Sequence, residues 1–250
     1  MKTLLVLCVG AITAPSGFCP AIERPDAIEE LINDSRQGLS AQHINLLSNN
    51  PLNEKNTPQA LEYIKARPDF TSYLLLVAVN RYSPNAYSTI SDEDKATILC
   101  SALRNAVAMN DWGHLTDGGS NRIAADMLLE VGRPCLGLLA EILDDGEPAY
   151  LFGSKDATAS FTHNYRRKDF AYRYIALILG ENPTFDKDVK VRDKAIAIIK
   201  TKVTNLIKRE DRKLGRPLSF GVRRDGTTNR VGHSMIRSDT FYRNLDQSSF

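Results

Sequence analysis

Apolar residues in this sequence recur every three to four positions from Pro20 to Ile207, and the runs are broken by glycine, proline and asparagine rather than by regular polar alternation. That period belongs to amphipathic helices, because a half-buried strand alternates with period two. An all-α fold is therefore expected. After Pro25 one stripe holds Ala27, Ile28, Leu31 and Ile32 and stops at Gly38; a second runs from a Ser40 cap through Ile44 and Leu47 to Asn49-Asn50-Pro51. Thr57-Pro58 reads as a cap followed by proline in the first helical position, opening a helix that Pro68 ends. The run Tyr73 to Val79 is apolar on every side, which predicts a buried helix.

Ser91 with Asp94 resembles a capping box ahead of the stripe Ala96, Leu99, Cys100, Leu103 and Val107. Beyond the turn Asp117-Gly118-Gly119-Ser120, a helix with Ile123, Met127 and Leu128 closes at Gly132, and Pro134 opens another with Leu136, Leu139 and Leu143. Two more helices are expected, roughly 168–179 and 189–207. With 42% hydrophobic and 25% charged residues, the composition excludes wholesale disorder and a multispanning membrane protein. Four cysteines are too few for a disulfide scaffold, and Cys100 and Cys135, set among apolar neighbours, read as small core residues.

Residues 122–145 resemble the junction between successive HEAT-type repeats. Arg122, Ala124, Ala125 and Leu128 match the closing helix, Gly132 the turn, Pro134 with Leu136, Leu139 and Leu143 the next opening helix, and Asp144 its final acid. Arg167-Lys168-Asp169-Phe170-Ala171 and Val191-Arg192-Asp193-Lys194-Ala195 echo the first half. The offset from Arg122 to Lys168 is 46 residues, as in HEAT repeats, whereas the 24 from Lys168 to Arg192 departs from that spacing. The resemblance covers about residues 120–207 and implies a bacterial-type HEAT-like α-α superhelix, a solenoid of helix pairs whose ridged surface binds protein. Some HEAT-like bacterial proteins resemble bilin lyases, but no motif here is assignable to that chemistry.

Three regions are expected: a signal peptide at 1–19, a helical domain at 20–207 and a basic arm at 208–250. Lys2, the apolar stretch Leu4 to Ile12 and the small residues that follow have the three-part pattern of an export signal, too short to span a bilayer. The expected location is periplasmic, cell-surface or secreted. Residues 186–250 carry 16 Lys and Arg against 8 Asp and Glu, whereas residues 1–185 carry 16 against 22. Past Lys208 the helical spacing is lost, yet Arg216, Phe220, Arg223, Arg224, Phe241, Tyr242 and Phe250 remain as partner-binding candidates in an arm that orders against another protein or another copy of the chain.

No two of His43, His114, His163 and His233 are spaced as metal ligands on one helix, and nucleophile-elbow, phosphate-loop and Cys-x-x-Cys motifs are missing. No metal and no cofactor is expected. The least ordinary chemistry is in the loops 110–114 and 162–169. If they converge, Asp111, His114, His163 and Asp169, with Arg166, would make an acid-base or anion site; otherwise Trp112 packs under a helix end, Ser154 is an N-cap, and Arg166 and Asp169 form ion pairs. The expected function is a non-catalytic interaction or structural subunit of an exported assembly. An enzyme built on those two loops, and a nucleic-acid binder using the basic arm, are the alternatives.

Overall fold

The computed structural model describes residues 26–41, 47, 50–116 and 122–213. Among them are ten α-helices, two 3-10 turns and no strand; a single antiparallel bridge joins Pro148 and Arg166. The helices are α1 (Ala27–Arg36), α2 (Thr57–Ala66), α3 (Tyr73–Tyr82), α4 (Pro84–Tyr87), α5 (Asp92–Asn105), α6 (Ile123–Val131), α7 (Cys135–Ile142), α8 (Ser154–Thr162), α9 (Arg167–Ile178) and α10 (Val189–Lys213). The 3-10 turns are Phe70–Ser72 and Asn110–Trp112. The all-α expectation holds.

The chain divides into two units, the first reaching Thr204. Of the second, only residues 205–213, the last turns of α10, are described. In the first unit the central element is α3. Every residue from Tyr73 to Val79 is buried, as its unbroken apolar sequence requires, and it packs against α1, α2, α4 and α5. Truncating one of its fully buried leucines, such as Leu75→Ala, would cost about 2–5 kcal/mol through lost transfer energy and the cavity left behind.

The start of α5 follows from its sequence. Ser91 accepts a hydrogen bond from the Asp94 N–H at 3.1 Å, and Asp92, Glu93 and Asp94 complement the positive end of the helix dipole. Its far end does not. The helix stops at Asn105, Ala106 turns extended, and the Val107 and Ala108 N–H groups donate to the Gly38 carbonyl at 3.2 and 3.4 Å. Val107, expected on the buried stripe, is in consequence 52% exposed.

Both α6 and α7 lie against α5 and α9, with Gly132 at φ 69° making the turn between them. Ala124, Ala125, Met127 and Leu128 from α6 and Cys135, Leu136, Leu139 and Ile142 from α7 fill the space, together with Phe170, Ala171, Tyr174 and Ile175 from α9. Two expected caps are displaced. Asn56 rather than Thr57 precedes α2, because the Asn53 side chain accepts from the Lys55 and Asn56 N–H groups and the Thr57 hydroxyl donates back to the Asn53 carbonyl. Gly153, at φ 106°, takes the position expected of Ser154.

On α10 the buried residues Arg192, Ile196, Ile199 and Val203 recur at intervals of four, three and four and mark its inward face. The helix runs past Ile207 to Lys213. Lysine, arginine and glutamate have good helix propensity, so the loss of apolar spacing does not end it there. The apolar N-terminal stretch, the loop 117–120, His43, His233 and the arm residues Arg216, Phe220, Arg223, Arg224, Phe241, Tyr242 and Phe250 lie outside the described residues.

Candidate functional site

The candidate residues fall into two clusters. The first is built on the 3-10 turn Asn110–Trp112, which follows the stretch that pairs with Gly38. Asp111 is 1% exposed and gathers three donors: the Ser40 hydroxyl reaches its Oδ1 at 2.6 Å, and the Ala41 N–H and the Tyr73 hydroxyl reach its Oδ2, each at 2.6 Å. Hydrogen bonds to a carboxylate are short and strong, so this residue ties the segment after α1 to the first turn of α3.

Trp112 is sandwiched beside it. Its ring lies 6.4 Å from that of Tyr73 in a stacked arrangement and 6.0 Å from that of Tyr174, whose hydroxyl donates to the Trp112 carbonyl. Burial pushes the Tyr73 and Tyr174 phenols up from their ordinary range, and for Tyr73 the adjoining Asp111 charge adds to the effect. His114 is half-buried, two residues beyond Trp112. The cavity here, lined by Ser35, Gly38, Tyr73, Asn105, Asp111 and Trp112 among others, holds ≈ 10 Å³, room for about one water and no substrate.

The second cluster sits where α9 begins. Asp169 occupies the N3 position and accepts from the Arg166 backbone N–H at 3.0 Å, while the Arg166 guanidinium binds both carboxylate oxygens, Nη2 to Oδ1 at 2.8 Å and Nε to Oδ2 at 3.1 Å. Arg192 approaches from α10. Its Nε is 3.3 Å from Asp169 Oδ1, an ion pair without hydrogen-bond alignment, and its Nη groups donate to the carbonyls of His163, Asn164 and Asp186 at 2.9, 2.9 and 3.0 Å. The guanidinium also lies over the Phe185 ring, 4.5 Å from the centroid.

Arg166 and Lys168 both reach Asp193 at 2.9 Å. Burial lowers the Arg192 guanidinium from its ordinary range; for Arg166 the same penalty is outweighed by the hydrogen bonds to Asp169, and it rises. Desolvation of Asp193 is likewise outweighed, by Lys168 and then Arg166, and its carboxyl is held below the usual range. His163 brings a backbone carbonyl to Arg192 and a ring that lies 6.3 Å from Tyr165 and 6.2 Å from Phe185.

The structure thus groups His163 and Asp169 with Arg166, and Asp111 separately beside Trp112. In each group the carboxylate is buried and engaged by protein donors, an arrangement that ties the loops to the helices around them. Arg192 is the residue that the candidate set lacked. Its spacing from Ile196, Ile199 and Val203 places it on the inward face of α10, and a buried guanidinium needs an acid beside it.

A second cavity, an open groove of ≈ 590 Å³, lies between the start of α2 and the end of α3 and is lined by Asn50, Leu52, Thr57, Tyr82, Ser83 and Asn85 among others. None of the four acid-base candidates lines it. Among the described residues no group of three or more His, Cys, Asp and Glu is placed to hold a metal ion, and no helix is long and apolar enough to cross a membrane. No protein-family model, no curated protein and no solved structure matches this chain at a significant level.

Proposed function

We propose that this chain is a non-catalytic interaction or structural subunit of an exported assembly, built as stacked HEAT-like helix pairs and docking a protein partner along α10. The observation that carries this reading is the outward face of that helix. Ile198 is 72% exposed and Val191 44%, and their spacing of seven residues puts both on one face, turned roughly 120° from the buried Ile196, Ile199 and Val203. Single exposed apolar residues are ordinary; two on one helical face, with Lys194 and Lys202 between and beyond them, form a strip that a partner can cover.

Charge selects the kind of partner. A second copy packed antiparallel about Ile198 brings Lys194 of one chain toward Lys202 of the other, like charge against like, with Glu181 paired to each Lys202. An apolar ridge flanked by acidic groups on a different protein is the complement that fits. The placement of α6 and α7 against both α5 and α9 supports the helix-pair architecture, since such pairs bury their apolar sides against their neighbours. Arg216, Arg223 and Arg224 in the C-terminal arm give the same acidic partner a further basic contact.

A photoreactive amino acid at position 198 of the full chain, expressed in its native host, should cross-link one dominant partner. Titrating that purified partner should then give about tenfold weaker binding by Ile198→Asp than by the native chain. Because the side chain is exposed, the thermal midpoint should not move. Cross-linking at 198 no greater than at exposed Arg133, or equal affinity of the variant, overturns the docking face. Mass spectrometry of the native N-terminus tests export separately; an intact Met1 in mature material counts against cleavage.

A further inference from the structure

We propose that Cys100 and Cys135 are a cross-linking pair, which forms a disulfide between α5 and α7 when the chain folds in the presence of a disulfide oxidant. The two residues, 35 positions apart in sequence, meet where α5 and α7 pack side by side. The Cys100 Sγ lies 3.9 Å from the Cys135 backbone carbonyl oxygen, and the Cys135 Sγ is 3.8 Å from the Leu128 carbonyl oxygen. Both thiols are free and both residues are buried, so each has the other as its near reactive neighbour.

The surroundings favour exchange in an opened state rather than in the finished fold. The neighbouring Cys135 thiol and burial push the Cys100 thiol up, which keeps the thiolate scarce once the core has closed. In the opened chain, the Cys100 thiolate attacks a small-molecule disulfide such as oxidised glutathione and expels one thiolate. The Cys135 thiolate then attacks the Cys100 sulfur of that mixed disulfide and expels the second. Two protein thiols become one disulfide, one oxidant disulfide becomes two thiols, and both protons end on the released thiols.

The native full chain suffices for the test. Reduced and unfolded in urea, it is refolded into a mixture of reduced and oxidised glutathione, alkylated, and mapped with trypsin without reduction. A linked pair of peptides, 96–104 with 123–155, should appear about 2 Da lighter than the two reduced peptides together. The linked chain should also melt on the order of 5 °C above the reduced one, because the cross-link restricts the unfolded state. Recovery of both cysteines as alkylated thiols overturns the proposal, and so does their linkage to glutathione, Cys8 or Cys19 instead of to each other.

Discussion

The Tyr73 hydroxyl donates to Asp111 Oδ2 at 2.6 Å, and both residues are buried. That bond shares the carboxylate with Ser40 and Ala41, so Asp111 holds together three segments that are far apart in sequence. Replacing Asp111 by alanine strands three buried donors, each costing about 1–3 kcal/mol and not fully additive, for a total of about 3–5 kcal/mol. Tyr73→Phe removes one donor and should cost about 1–2 kcal/mol. Urea unfolding of the two variants should give that order. Equal, small losses would mean that the segment after α1 is held by other contacts.

Alkaline solution should unfold the protein through its buried phenols. The folded values of Tyr73 and Tyr174 are raised, so their contribution is fully present below the unfolded value of about 10 and is lost as pH rises past it, where only the unfolded chain can ionise. The urea midpoint should fall steeply above about pH 10. Tyr73→Phe should make that fall shallower even though the variant starts lower. A midpoint that stays flat from neutral to alkaline pH would show that the phenols reach solvent in the native state.

The Arg192–Asp169 pair should behave as a buried ion pair does. Arg192→Met leaves Asp169 with Arg166 alone and frees the carbonyls of His163, Asn164 and Asp186, whereas Asp169→Asn leaves a buried guanidinium without its counter-charge. Each should cost about 3–5 kcal/mol. Because both remove the same interaction, the double variant should lose clearly less than the two losses combined. Strict additivity in a double-mutant cycle would mean that the 3.3 Å approach contributes nothing.

How much of this was legible in the sequence differs by element. The buried α3 follows from the unbroken apolar run Tyr73 to Val79, and the start of α5 from Ser91 and its acidic first turn, because both are properties of neighbouring residues. The two loops 110–114 and 162–169 could likewise be singled out, since acid, imidazole and aromatic residues crowd there. Which groups meet in them could not. The donors to Asp111 sit up to 71 positions away, and Arg192 meets the carbonyls of His163 and Asn164 from 29 and 28 positions away, distances at which local periodicity carries no information. The exposure of Val107 has the same origin, a chain reversal set by Gly38 rather than by α5 itself.

Gly38 and Gly132 look alike in sequence, each ending a helical stripe, and both have positive φ, 68° and 69°. Their surroundings separate them. A methyl group built on Gly38 would stand 2.7 Å from the Asn105 carbonyl oxygen and 2.9 Å from the Val107 nitrogen, both backbone atoms held in place by the same chain reversal. The corresponding atom on Gly132 meets nothing nearer than the Leu129 carbonyl oxygen at 3.6 Å, ordinary contact. Gly132→Ala should therefore meet no clash and cost only the strain of its φ 69°, ψ −119° backbone, a conformation outside the left-handed helical well that glycine adopts freely, about 1–3 kcal/mol. Gly38→Ala adds a clash that only backbone movement relieves, and should cost about 2–4 kcal/mol while loosening the bonds from Val107 and Ala108. Hydrogen exchange can separate the two terms, because in Gly38→Ala the Val107 and Ala108 amides should exchange faster relative to global unfolding, whereas in Gly132→Ala they should not. If the Val107 and Ala108 amides exchange no faster in Gly38→Ala, residues 105–107 yield to the extra methyl, and the close approach at Gly38 does not fix the end of α5.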